Sequence, residues 1–150
     1  MGPGCGIRPD SSGTKAHRRR QVEVRVALDT NRLTDLFQGD TELAERLAFC
    51  EEVWVPLFVI GEIKAGFHGG TQRSSNEALL QKLLVKPTVE ILLPSLETAE
   101  HYARLFVQLK RAGTPIPDND LWIAALVLEH NLILITRDRH FEHVPQLSRG

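Results

Sequence analysis

The sequence predicts an α/β fold in which a mainly parallel sheet is covered by helices on both faces. Three observations predict it. Short β-branched runs alternate with helical stretches along the chain once its first segment is passed. The runs "VRVAL" and "LILIT" are apolar almost throughout, as strands buried on both faces are. The stretches between strands place apolar residues at helical spacing.

The elements follow in order. Residues 1–21 are poor in large apolar side chains, rich in Gly, Pro and Ser, and end in the basic block His17, Arg18, Arg19, Arg20. They bury too little surface to offset their ordering entropy and are expected to be a disordered basic tail. The folded domain is expected over 22–150. It opens with "VEVRVAL" (22–28) as a strand, followed by Asp29 and a helical turn in "RLTDLF". "TELAERLAFC" (41–50) has helical period, with Leu43, Leu47 and Cys50 on one face. "EVWVP" (52–56) is a second strand stopped by Pro56, and "LFVIGEIKAGF" (57–67) a helix ended by Gly66, Gly69 and Gly70.

A helix over 76–85 presents Leu79, Leu80, Leu83 and Leu84 as a stripe, and "TVEILL" (88–93) is a third strand. A long helix over 96–112 is expected to turn Ala99, Tyr102, Ala103, Phe106 and Leu109 inward, with Lys110, Arg111 and Gly113 at its C-terminal end. The helix at 119–130 then feeds the last buried strand, "LILIT" (132–136).

Composition narrows the function classes. The 150 residues are 42% hydrophobic and 25% charged with a formal net charge of −1, so the chain as a whole is neither a polyanion nor a strongly basic nucleic-acid binder. Cys5 and Cys50 make neither a disulfide framework nor a cysteine zinc site, which points to a reducing cytoplasm. The longest apolar run, "LWIAALVL", is far short of the about 20 residues a spanning helix needs. Glu23 and Arg25 interrupt what would otherwise be a signal-peptide core behind the basic block. The chain is therefore read as soluble and not exported.

Function is carried by acids. In open α/β sheets, ligands bind outside the carboxyl ends of the strands. Asp29 follows the first strand and Asp138 the last, Asp120 stands in the first turn of a helix feeding that strand, and Glu62 sits among Ile60, Gly61 and Ile63. Each has a bland explanation as a cap, a turn or a surface residue. Together they exceed what caps require: Asp118 alone serves the helix at 119–130 as N-cap, which leaves Asp120 surplus. Carboxylates gathered in one place resist ionising unless a cation neutralises them. An all-oxygen set suits Mg²⁺, with Mn²⁺ as an alternative.

Other chemistries lack their residues. There is no phosphate loop ending in Gly-Lys-Ser/Thr and no nucleophile elbow. His140 and His143 in "RHFEH" have no third zinc-type partner at a useful spacing and are expected to be a solvated or helix-end pair. Aspartate-nucleophile phosphatases need a second Asp where Asn31 stands, and receiver domains need a lysine where Arg137 follows "LILIT". A carboxylate-held metal without a nucleotide motif points to phosphodiester hydrolysis, with Arg32, Lys64, Arg73 and Arg137 as candidates to hold the phosphate backbone. The rival class is a non-catalytic RNA- or protein-binding module.

The stretches "VALDTNRLTDLF", "VPLFVIGEIKAGF" and "GTPIPDNDLWIAALVLEHNLILITRDRHFEHVPQL" resemble successive motifs of the PIN domain, and more narrowly of VapC-type toxins of toxin–antitoxin modules. The resemblance runs over about residues 24–147. It implies a three-layer α/β/α sandwich with a small parallel sheet, and Mg²⁺- or Mn²⁺-dependent endoribonuclease activity restrained by a cognate antitoxin. Carried over by motif, the four catalytic acids fall on Asp29, Glu62, Asp120 and Asp138, with Asp29 and Asp120 facing the metal. Asn31 and Thr136 match supporting polar positions, and Asp118 is left to capping. The resemblance also implies a homodimer; the antitoxin is expected to enter apolar grooves lined by the leucine stripe at 79–84 or by Leu33, Leu36 and Phe37. The chain ends at "QLSRG", where the family's last edge strand is expected to be short or missing.

Overall fold

The computed structural model describes residues 24–150; the expected basic tail lies outside them. Strand β1 (Arg25–Leu28) leads into α1 (Thr30–Phe37) and α2 (Thr41–Ala48). Strand β2 (Glu52–Pro56) leads into α3 (Leu57–Gly69) and α4 (Arg73–Leu84). Strand β3 (Val89–Leu92) precedes α5 (Leu96–Ala112) and α6 (Asp118–Glu129), and then come β4 (Ile133–Ile135), a 3₁₀ turn (Arg139–His143) and β5 (Ser148–Arg149). The expected alternation is present. The short turn foreseen in "RLTDLF" is two full turns of helix.

The sheet has the order β3-β2-β1-β4-β5, and every pair is parallel. The chain thus grows outward from β1 on one side, then returns to add β4 and β5 on the other. With right-handed crossovers, α1–α4 cover one face and α5 and α6 the opposite one. Register is pinned where Arg25 meets Glu52 across β1 and β2: the guanidinium Nε lies 2.7 Å from Glu52 Oε2, and the indole Nε1 of Trp54 donates to the same oxygen at 2.9 Å. The last edge strand is short, as expected. Two residues of β5 pair with Ile133 and Leu134 of β4.

The core is the sheet's own apolar side chains and the helix stripes above and below it. Val26, Ala27, Leu28, Val55, Leu134 and Ile135 are almost wholly buried, along with Leu33, Leu43, Leu80, Ile123 and Leu126 from the helices. Burial of this kind contributes about 25 cal/mol per Å² of apolar surface removed from water. Gly113, at φ 71°, terminates α5 in the left-handed conformation that glycine adopts without a Cβ penalty.

Two expectations fail here. The inward stripe of α5 is Thr98, Leu105 and Leu109 with Tyr102 half-buried, while Ala99, Ala103 and Phe106 face solvent. Thr98, Tyr102, Leu105 and Leu109 recur at spacings of four and three, the stripe that α5 lays against antiparallel α6. Thr98 is drawn inward because its hydroxyl and that of Ser95 both donate to Glu129 at the far end of α6. The apolar groove is also narrower than expected. Leu33, Leu80 and Leu83 belong to the core, and of the 79–84 stripe Leu79 is the exposed member.

Candidate active site

The reversal of strand order places a crevice outside the carboxyl ends of β1 and β4, the position where open α/β sheets bind ligands. Asp29 and Asp138 follow those two strands. All four sequence-predicted acids line one cleft of about 420 Å³, together with Asn31 and Asn119. A larger, open depression of about 770 Å³ runs along α5 beside Ala103, Val107 and Arg111. It contains no acid and no nucleophile, so volume does not mark the site; chemistry does.

Asp29 is the most enclosed of the four, 3% exposed. It is the N-cap of α1, and its Oδ1 accepts the Arg32 backbone N–H at 2.9 Å. Its Oδ2 accepts the hydroxyl hydrogen of Thr136, just past β4. The same Thr136 oxygen accepts the Asp138 N–H at 3.0 Å. One hydroxyl therefore ties the ends of both central strands and sets two carboxylates against each other. Burial pushes the Asp29 carboxyl above its ordinary range, partly offset by the Thr136 and Arg32 hydrogen bonds and reinforced by the charge of Asp138.

Glu62 sits in the second turn of α3, half-buried, and its Oε1 accepts from the Asn119 amide at 3.0 Å. Asp120 comes from the first turn of α6 with a side chain 16% exposed. Burial raises its pKa; the His140 hydrogen bond lowers it, and the nearby charges of Asp138 and Glu62 raise it further. Asp138 caps the 3₁₀ turn by accepting the His140 N–H at 2.9 Å. That cap turns the His140 ring toward the acids: its Nδ1 lies 2.9 Å from Asp120 Oδ2 and 3.2 Å from Asp138 Oδ1.

The sequence reading missed two of these groups and misassigned a third. His140 is no solvated bystander; the spacing Asp138-x-His140 directly after a buried strand was the available signal. Asn119 was passed over beside its acidic neighbours. Asp118 is not the cap. Helix α6 begins at Asp118 itself, Pro117 stands in the cap position, and no side chain caps the helix. Asp118 instead accepts the phenolic hydrogen of Tyr102, whose ring stacks on Trp122 at 4.0 Å.

Three of the four expected phosphate-binding cations are engaged elsewhere. Arg137 donates through Nε and Nη2 to both oxygens of Asp35 at 2.9 and 3.0 Å, and Arg32 reaches Asp35 at 3.0 Å. Lys64 pairs with Glu77 at 3.0 Å. Arg73 opens α4, exposed. Among the described residues, no lysine or arginine pairs with Asp29, Glu62, Asp120 or Asp138. The cleft gathers negative charge without neutralising it.

Four carboxylates gathered in one cleft at the carboxyl edge of a parallel 3-2-1-4-5 sheet agree with a sequence comparison: the profile of the PIN domain matches residues 26–147. The chain belongs to the PIN domain family. Ribonuclease VapC1 of Haemophilus influenzae is 28% identical over 126 residues, covering 81% of this chain and 92% of that protein. The fold recurs in VapBC2 from Rickettsia felis, solved bound to a DNA fragment from their promoter, with a TM-score of 0.78 at 22% identity over 85% of this chain and 98% of that one. VapBC-1 from nontypeable H. influenzae superposes with a TM-score of 0.74 at 26% identity, covering 85% of this chain and 97% of that one.

The donor set fits the divalent cation that PIN nucleases generally use. Asp120, Asp138 and His140 each offer a ligand atom, and these three atoms lie within 4.8 Å of one another. Asp29 is not part of this tight group, and its two oxygens already accept hydrogen bonds. The buried hydroxyl of Thr30 in the cleft wall has no partner among the described residues, so the wall retains an unspent polar group.

Proposed function

We propose that this chain is a metal-dependent endoribonuclease, the toxin of a toxin–antitoxin pair, with Asp29, Glu62, Asp120 and Asp138 as its catalytic acids. The observation that carries the reading is the cleft itself: four carboxylates, two of them raised in pKa by burial, with no lysine or arginine paired to any. A purely structural cluster would be expected to carry its counter-charges, as Asp35 does. The ribonuclease and VapBC relatives support RNA as the substrate class and an antitoxin as the partner.

A bound Mg²⁺ or Mn²⁺ ion supplies positive charge at the scissile phosphate and makes a nucleophilic water more acidic. The chain's own residues do the rest. Asp120 and Asp138 would hold the ion, with Asp29 as a third acid whose orientation is set by Thr136 and the α1 backbone. Glu62, whose Oε1 accepts from Asn119, completes the negative wall and would accept a proton from the attacking water. Asn31, exposed at the start of α1, hydrogen-bonds substrate at the rim. Arg137 keeps donors beyond the two spent on Asp35 for the RNA backbone, while Arg32, Lys64 and Arg73 would act only as longer-range positive charge, the first two from within their pairs with Asp35 and Glu77.

The protein acts in the cytoplasm as a homodimer and is silenced by a cognate antitoxin. Among the described residues, no helix is long and apolar enough to cross a membrane. The test is incubation of purified wild type and Asp120→Asn with total RNA, in Mg²⁺ and in EDTA. Discrete fragments are expected only from wild type with metal. Equal cutting by the variant would sink the assignment, and intact RNA under every condition would leave a binding module in its place.

A further inference from the structure

His140 has no role in the four-acid reading, yet its imidazole is the one basic side chain touching the acids among the described residues. Its distances are informative. An octahedral ion with donors at about 2.1 Å holds adjacent donors about 3 Å apart. Nδ1 of His140 stands 2.9 Å from Asp120 Oδ2 and 3.2 Å from Asp138 Oδ1, the edge lengths of such a coordination shell. The ring atom thus stands at the spacing of a neighbouring ligand from each of two carboxylate oxygens, all three within 4.8 Å of one another.

The local chain holds it there. Asp138 captures the His140 backbone N–H, which fixes the first turn of the 3₁₀ segment, and Phe141 is buried at 1% exposure directly behind. The ring itself is about half exposed, and with an ion bound Nε2 would face solvent as the N–H while Nδ1 would turn its lone pair to the ion in place of its contact with Asp120.

We propose that His140 is a ligand of the divalent ion, forming with Asp120 and Asp138 a nitrogen–oxygen–oxygen donor set that selects manganese or a later first-row ion over magnesium. The inference rests on reading the cleft as a metal site. Carboxylates and water suit Mg²⁺ and Mn²⁺ alike, whereas imidazole strengthens binding of transition ions, in the order Mn²⁺ below Co²⁺ below Ni²⁺.

The experiment titrates the full chain with Mn²⁺ and with Mg²⁺ by calorimetry and records electron spin echo modulation of the Mn²⁺ complex. Wild type is expected to show coupling to one imidazole ¹⁴N. The coupling should vanish in His140→Ala and persist in His143→Ala. In His140→Ala, Mn²⁺ affinity should fall about tenfold while Mg²⁺ affinity stays within about twofold. Mn²⁺ bound to wild type without nitrogen coupling, in a site that Asp120→Asn abolishes, overturns the role of His140 and leaves the metal cleft standing. Equal weakening of both ions in His140→Ala overturns the selectivity. If wild type binds neither ion, the metal reading falls with the proposal.

Discussion

Asp29 caps the same short helix that carries Asp35 in its last turn, and the two live in opposite electrostatic worlds. Asp35 at the far end takes a two-pronged bond from Arg137 and another from Arg32. These hold its carboxyl below the ordinary range, the Arg137 hydrogen bond foremost. Asp29 at the near end has no cation bonded to it and faces Asp138, and burial pushes its carboxyl up. The neutralised acid holds structure together. The unneutralised one, like Asp120 across the cleft, keeps charge in a place where it costs stability, which is the mark of a site kept for chemistry.

Charge removal should therefore act in opposite directions at the two places. The largest effect is on activity: Asp120→Asn is expected to lower RNA cleavage by at least about a hundredfold, since it removes charge at the position that holds the ion. The same variant should melt roughly 2–4 °C higher than wild type at pH 7 without metal, because a desolvated charge that the His140 ring only partly offsets is gone. The pKa of Asp120 is raised in the fold, so its cost is absent at acid pH and sets in as pH rises through the raised value. Melting curves of both proteins across pH should converge toward acid. A variant less stable than wild type at neutral pH would break the comparison.

Next in size is Thr136→Val, which removes the hydroxyl bonded to both Asp29 and the Asp138 backbone. Cleavage should drop about 10–100-fold, as when groups orienting a metal's ligands are lost. Metal titration beside the rate assay separates a weakened site from a misfolded one.

Asp35→Asn should do the reverse of Asp120→Asn, lowering the melting temperature by about 1–3 °C with a few-fold loss of cutting as Arg137 loosens beside Asp138. Its pKa is depressed in the fold, so its contribution is complete above the unfolded value of about 3.9 and is lost as pH falls through the folded one. Unfolding at pH 7 and pH 3.5 should show the difference shrinking at the lower pH.

The smallest effect belongs to Asp118→Ala. It cuts the bond from Tyr102 at an exposed position and should leave cleavage within about twofold of wild type, with stability lowered by less than about 1 kcal/mol. A hundredfold loss of cleavage here would show that the polar triplet at the start of α6 acts as a unit.

The sequence alone carried the class of fold and the identity of four acids in one place. Strand ends are legible because a buried parallel strand is a continuous apolar run, so the residue after "VRVAL" or "LILIT" is placed on the carboxyl edge before any coordinates exist. Helix starts are less legible, three residues late at α4, and at α6 one residue was enough to mislead: with α6 beginning at Asp118, the expected cap became a partner of Tyr102. The stripe of α5 failed for a related reason. Its apolar residues occupy more than one face, and nothing within the helix says which face meets α6.

Tertiary structure alone decided what each acid touches. Asn119 meets Glu62 across 57 residues, Thr136 meets Asp29 across 107, and His140 meets Asp120 across 20. Periodicity and capping rules read interactions within a turn or two of helix. Contacts of this span depend on how α3, α6 and the 3₁₀ turn converge on the crevice between β1 and β4. Local sequence names the groups; the order in which strands are laid into the sheet decides which of them meet.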